Sequence, residues 1–320
     1  MYYVFGEPAG SFIGRFLEES KTLEVADELR GFSDSPATKP GADMQLPLYM
    51  VASRYCPTAR DVYLKYVKKA VSEATFPLVV GRFFHAVLAA VVPLAKKYIY
   101  SSGVNYDFDL LTYLRESAER YIESILKVSA SDLTLIDNLD RVTKKLHQLW
   151  NFQSLQLAAS VDIVLSKFQS IEADALVSKA IPIAVEQRLD GSRIGLSKHL
   201  SVDALQVPQT VIMDVKTGRP QDFHALTVTG YAMAYEAEFE KPVNLGIVIY
   251  PQFFNFKSVP YVDKKPILIT NELREKFLQE RNEKAGIVIS ERDPGIADEV
   301  IEPGACPLSC GYYKICHPVS

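Results

Sequence analysis

Cysteine is scarce in this chain. Four occur in 320 residues, Cys56 on its own and Cys306, Cys310 and Cys316 close together near the C-terminal end, too few for a disulfide-stapled secreted scaffold. Strong charge of one sign is missing as well: 35 Lys and Arg against 39 Asp and Glu leave a net charge of −4. That balance argues against a generic histone-like nucleic-acid binder, while a local basic groove stays open because the distribution of charge matters more than its sum. No secretory signal is read at the start, and no uninterrupted apolar run reaches membrane length. The longest, Phe76 to Val92, is broken by Gly81, Arg82 and His85 and reads as a buried helix. With 48% hydrophobic and 23% charged residues, the composition excludes disorder, and the length suffices for one large core with a helical appendage. A cytoplasmic protein without membrane contact is expected.

What is present is ordered around Gln209-Thr-Val-Ile-Met-Asp-Val-Lys-Thr-Gly-Arg219, an apolar run carrying two charges two residues apart. A strand alternates faces, so Asp214 and Lys216 share one and Val215 takes the other. Desolvating both charges is costly unless each finds a partner, which suggests a site; an ion pair at a sheet edge is the plainer alternative. Upstream, Asp203 in Leu-Ser-Val-Asp-Ala-Leu and Glu186 in Ile-Ala-Val-Glu-Gln-Arg lie in strand-like segments, with Asp190-Gly191 as a hairpin turn between them. Three carboxylates on adjacent strands can converge on one hard cation, leaving Lys216 to polarise the reacting group or position a water.

Along the chain, a short helix is expected near Ser11 to Glu19 and a loop from Ser33 to Gly41. Cys56-Pro57 opens a helix with Val62, Tyr63, Tyr66 and Val67, made basic by Arg60, Lys65, Lys68 and Lys69; this suits a nucleic-acid strand or simply a solvated face. Pro77 begins the apolar helix, in which His85 is either a satisfied core residue or a metal ligand. Helical stripes follow: Leu110, Leu111, Leu114, Tyr121, Ile122 and Ile125, then Leu135, Leu139, Val142, Leu146 and Trp150. Strands begin near Ile181 and run on through Ile194 to Leu205. After Thr217-Gly218-Arg219-Pro220, a helix from about Asp222 to Glu240 and an apolar strand, Leu245 to Tyr250, make a strand-helix-strand crossover whose strands are parallel. Tyr231 on that helix faces the acidic site or is a core aromatic. Beyond Tyr250 come a loop-rich segment, a charged helix from about Asn271 to Ala285 and an acidic stretch reaching Gly304.

The clustered cysteines suit zinc or an iron-sulfur cluster; alternatively Cys56 is a buried apolar cysteine and the other three form an incomplete site. A cluster shared between Cys56 and the end of the chain would act as a staple coupled to folding of the terminal lobe.

Taken in order, Cys56 in Tyr-Cys-Pro, His85, Glu186, Asp203, Asp-Val-Lys-Thr-Gly, Tyr231, and Cys-Pro-Leu-Ser-Cys-Gly-Tyr-Tyr-Lys-Ile-Cys resemble the CRISPR-associated RecB-like exonucleases, in their archaeal type I-A variant. The resemblance implies an α/β fold with a PD-(D/E)XK (RecB-like) nuclease core over residues 181–250. An extension (1–55) and a helical region (56–180) would precede it, and an iron-sulfur lobe (251–320) would follow. It makes His85, Asp203, Asp214 and the Val215 carbonyl ligands of Mg2+ or Mn2+, with Lys216, Tyr231 and Glu186 catalytic. Cys56, Cys306, Cys310 and Cys316 would hold a [4Fe-4S] cluster. The activity implied is hydrolysis of single-stranded DNA ends, often from the 5′ side, in spacer acquisition alongside the CRISPR integrase subunits. The chain departs from the family pattern where Thr227 replaces a glutamine, where Leu200 replaces a glycine, and in the three residues between Cys306 and Cys310.

Overall fold

The longest apolar run folds as α4 (Phe76–Ser102), preceded by α1 (Phe12–Thr22), α2 (Leu48–Val51) and α3 (Arg60–Tyr66). The computed structural model describes residues 11–41, 44–105, 107–128, 130–207, 209–254, 259–297, 306 and 309–318. The part of the acidic stretch from 298 to Gly304, and Pro307 and Leu308 between the cysteines, lie outside the described residues. A proline in its first turn starts α4, and Gly103, at φ 63°, ends it by returning its N–H to Ile99. Among the described residues α4 alone has the length and hydropathy to cross a membrane. Val79, Phe83, Phe84, Val87, Leu88, Val91 and Val92 are nevertheless buried in the protein core, as expected of a core helix. Around it pack α5 (Leu110–Val128), α6 (Leu139–Leu165) and α7 (Ala173–Ala180). Trp150 ties α6 to α5, its indole N–H donating to the Leu114 carbonyl at 2.7 Å. The second stripe begins at Val142, because Leu135 and Leu139 are exposed.

Among the described residues five strands, β1 (Ile183–Leu189), β2 (Leu200–Gln206), β3 (Val211–Val215), β4 (Leu245–Gln252) and β5 (Tyr261–Leu268), lie side by side in chain order. Only the β3/β4 pair is parallel, since α8 (His224–Phe239) carries the chain across between them, as the crossover predicts. Val211, Met213 and Val215 pack toward the α4 layer. Ile212, Val248 and Tyr250 pack on the opposite side with α2, α8 and α9 (Asn271–Ser290). A last helical turn, α10 (Tyr313–Cys316), closes the described chain.

Several local expectations need correction. Asp190-Gly191 is no two-residue hairpin: a 3-10 turn (Ser192–Ile194) and a loop intervene, and β2 starts only at Leu200. The Asp190 side chain accepts from Ser192 N instead, an Asx turn that favours the longer connection. Pro57 precedes α3 by three residues rather than entering its first turn. The segment after Tyr250 contains β5, an edge strand whose Lys264, Lys265 and Pro266 mask its periodicity. Helix α9 runs on to Ser290, and four of its charged residues, Arg274, Glu280, Arg281 and Lys284, are buried. Arg281 is buried and donates to the carbonyls of Ala37, Thr38, Lys39 and Ile194, fixing the early loop. Lys284 holds the carbonyls of Val51 and Ser53, and Glu280 pairs with Arg54, so α9 also anchors the backbone that leads into Tyr55 and Cys56.

Gly230 marks a close contact of α8 with α2 and α9. A Cβ there would stand 2.2 Å from Leu48 Cδ1 and 2.6 Å from Phe277 Cε2. Gly230→Ala is expected to destabilise the protein by about 1–3 kcal/mol through overpacking, read as a lowered urea midpoint at unchanged slope; an unchanged midpoint would show that the contact yields.

Candidate active site

The β2/β3 ladder stops after Ala204↔Met213, and beyond it side chains replace backbone pairing. The Val215 N–H donates to Asp203 Oδ2 at 2.7 Å, and Asp203 Oδ1 meets His85 Nδ1 of α4 at 3.1 Å. On β3, Asp214 is buried. Lys216 Nζ lies 3.0 Å from its Oδ2 as an ion pair and donates a long hydrogen bond of 3.4 Å to Oδ1. Oδ2 itself is buried without a hydrogen-bond donor, a costly state for a carboxylate. The Lys216 N–H continues the parallel pairing by donating to Ile249 O.

Electrostatics bind these groups into one unit. Burial pushes the Asp214 carboxyl up to about 6 against the pull of Lys216. Burial also opposes charge on Lys216 and His85, but the carboxylates outweigh it: Asp214 and Asp203 hold the ammonium above its ordinary value, and Asp203, then Asp214, do the same for the imidazole. Tyr231 on α8 lies in the same field. Burial, then Asp214, Asp203 and Glu186, push its phenol well above its ordinary value, which leaves a neutral O–H. Thr227, one turn before it, is buried. Glu186 stands on β1 between the pairs Val185↔Ala204 and Gln187↔Val202. It is exposed, accepts from Ser201 Oγ at 2.5 Å, and has φ 50°, a left-handed backbone that costs a non-glycine residue about 1–3 kcal/mol.

Three further residues at this site escape sequence reading. Tyr55 O–H meets His224 Nε2 at 3.0 Å, and His224 Nδ1 meets Tyr250 O–H at 2.9 Å. Burial, Lys216 and Lys265 lower the His224 imidazole to about 4, so it is neutral near pH 7. Faint signals existed: Tyr55 directly precedes Cys56, Phe223-His224 opens the crossover helix, and Tyr250 sits near the end of an otherwise aliphatic strand. The neutral ring contributes stability that is fully present above the ordinary histidine value of 6.5 and drains away as pH falls from there through about 4. His224→Asn should therefore flatten the acid loss of stability over that window, seen in urea midpoints taken at successive pH values. A slope identical to wild type would refute the assignment.

The two carboxylates and an imidazole suit a hard divalent cation, and the donorless Asp214 Oδ2 is an atom such an ion would satisfy. Among the described residues, no three His, Cys, Asp or Glu side chains are closed into a coordination cage. His85 is paired with Asp203, and Asp214 with Lys216.

The segments carrying Cys310 and Cys316 lie beside α3. Cys310 and Cys316 pack against Tyr63, Leu64 and Tyr312. Arg60 Nη1 donates to Cys316 Sγ at 3.2 Å while its other nitrogens hold Asp293. Glu73 N donates to Gly311 O at 2.9 Å. Cys56, Cys310 and Cys316 form no disulfide, and burial pushes the Cys56 thiol up.

The model of the family described as CRISPR-associated exonuclease Csa1 matches residues 11–319. The chain is similar to the CRISPR-associated exonuclease Csa1 of Saccharolobus solfataricus, with 32% identity over 295 residues covering 92% of this chain and 93% of the relative. It is also similar to the protein so named from Thermoproteus tenax, with 30% identity over 312 residues covering 95% and 97%.

Proposed function

We infer that this chain, which belongs to the CRISPR-associated exonuclease Csa1 family, is a metal-dependent exonuclease that trims single-stranded DNA ends in the cytoplasm during spacer acquisition. One observation carries the reading: a buried carboxylate with a donorless oxygen, Asp214 Oδ2, stands beside Lys216 and the Asp203–His85 pair at the end of β3. The β3–α8–β4 crossover that carries it supports the reading of a PD-(D/E)XK core.

In this reading Asp203, Asp214, His85 and the Val215 carbonyl hold Mg2+ or Mn2+, which supplies an activated water and neutralises phosphate charge. Lys216, released from Asp214, stabilises negative charge developing on the phosphate. Tyr231, kept neutral, donates a hydrogen bond toward the same centre. Glu186 orders the neighbouring strand edge and is the outermost carboxylate. Cys56, Cys306, Cys310 and Cys316 hold a [4Fe-4S] cluster that staples the terminal lobe to α3, and the CRISPR integrase subunits are the partners. Iron content and a brown chromophore in anaerobically purified protein test the cluster, zinc being the opposing result.

A second reading, a DNA-binding or assembly subunit with little cleavage of its own, is favoured by Thr227 at the glutamine position and by the ligand groups being paired with one another. Digestion of end-labelled single-stranded DNA with manganese and with EDTA separates the two. Ion-dependent shortening from one labelled end supports the exonuclease. No digestion, with or without the integrase subunits, favours assembly.

A further inference from the structure

Tyr55 presents an unusual combination of exposure and fixation. Its side chain is 59% exposed, as surface tyrosines often are, yet its hydroxyl is tied to His224, which is buried and tied in turn to Tyr250. Phe223 meets the ring edge-on at 4.8 Å and 87°. The ring is thus held at its hydroxyl and by the Phe223 ring while much of its surface stays open to solvent. Positive charge lies close by: Lys216 acts on the Tyr55 phenol, and Lys265 Nζ stands 5.5 Å from the Tyr250 ring centroid.

We propose that Tyr55 is a base-stacking residue, whose pinned ring takes a nucleobase of the single strand while the neighbouring lysines face its phosphates. This deepens the nuclease reading and rests on it. A rigid aromatic face beside cations is the arrangement by which proteins hold single strands without reading sequence. Fixing the ring beforehand removes the entropy that a free surface tyrosine would lose on stacking. The partner is a nucleobase rather than an apolar peptide because Lys216, which acts on the phenol, and Lys265, beside Tyr250, offer cations to the phosphates of a strand.

The test is binding in EDTA, where no cleavage occurs, using a remotely labelled single-stranded oligonucleotide and a matched one with abasic sites at its end. Tyr55→Leu is expected to weaken binding of the base-bearing strand about 5- to 150-fold and to leave the abasic strand unchanged. Tyr55→Phe, which keeps the ring and loses the hydroxyl, should retain most of the affinity. Equal loss on both strands, or no loss on either, would overturn the stacking role. If wild-type protein bound neither strand, this proposal and the DNA reading would fall together; if it bound and digested DNA while Tyr55→Leu behaved like wild type, this proposal alone would fall.

Discussion

Asp214→Ala should reduce ion-dependent digestion of single-stranded DNA by at least about a thousandfold while the protein stays folded. The magnitude follows from the role: removing one preorganised charge-stabilising group costs about 10²–10³ in rate, and removing a carboxylate that holds the ion adds the loss of the ion itself. Asp214 is also the partner of Lys216, so the variant disturbs both. Folding should survive, because alanine removes a buried carboxylate whose charge burial already disfavours, and the Lys216 ammonium that loses its partner is only part-buried and can turn to solvent. The measurement is the initial rate of label release for wild type and variant at equal manganese, with melting curves for both. A second readout needs no turnover: manganese should raise the melting temperature of wild type, through binding only to the folded state, and leave the variant unmoved. Wild-type digestion by a folded Asp214→Ala protein would remove the site from the chemistry.

The largest effect on stability is expected at Glu236, far from any catalytic role. Its side chain is fully buried on α8, and Arg274 grips it with two hydrogen bonds of 2.7 and 2.9 Å. Arg30 adds one at 2.8 Å, and the N–H groups of Gly31 and Val243 donate at 2.8 and 2.9 Å. Burial raises the carboxyl, but Arg274 and the other donors outweigh it and hold it below its ordinary value. Glu236→Ala strands two guanidiniums in the interior and should cost about 3–5 kcal/mol, against a typical total of about 5–15. Urea unfolding gives the number. Glu236→Leu combined with Arg274→Leu should cost less than the sum of the single changes, since the pair is coupled. Additive losses would mean that each residue acts through other partners.

The contrast between these two sites marks where sequence reading succeeds. Asp214 and Lys216 were conspicuous because two charges at strand spacing interrupt an apolar run, and alternation alone places them on one face. The parallel β3/β4 pair followed from a strand, an apolar helix and a strand in succession. Glu236, Arg274, Glu280, Arg281 and Lys284, by contrast, read as an ordinary solvated helix pattern and are buried. Polarity in a sequence predicts exposure unless a partner is known, and several of their partners, Arg30, Val51 and Ala37 among them, lie more than 200 residues away. β5 escapes sequence reading for a related reason, since an edge strand buries one side only and tolerates Lys, Lys and Pro.

By itself the sequence determined the class of the protein, its central strand with the charged pair, the crossover, and the family to which it belongs, because these rest on local periodicity and on residues in fixed order. The tertiary structure alone decided what each charge faces. It turned Asp203 toward His85 and the Val215 amide, left Asp214 Oδ2 without a donor, drew Tyr55, His224 and Tyr250 into one chain, and brought Arg60 to Cys316. Those outcomes depend on packing between residues 12 to 256 apart in sequence, where burial and pairing, rather than propensity, set the energy.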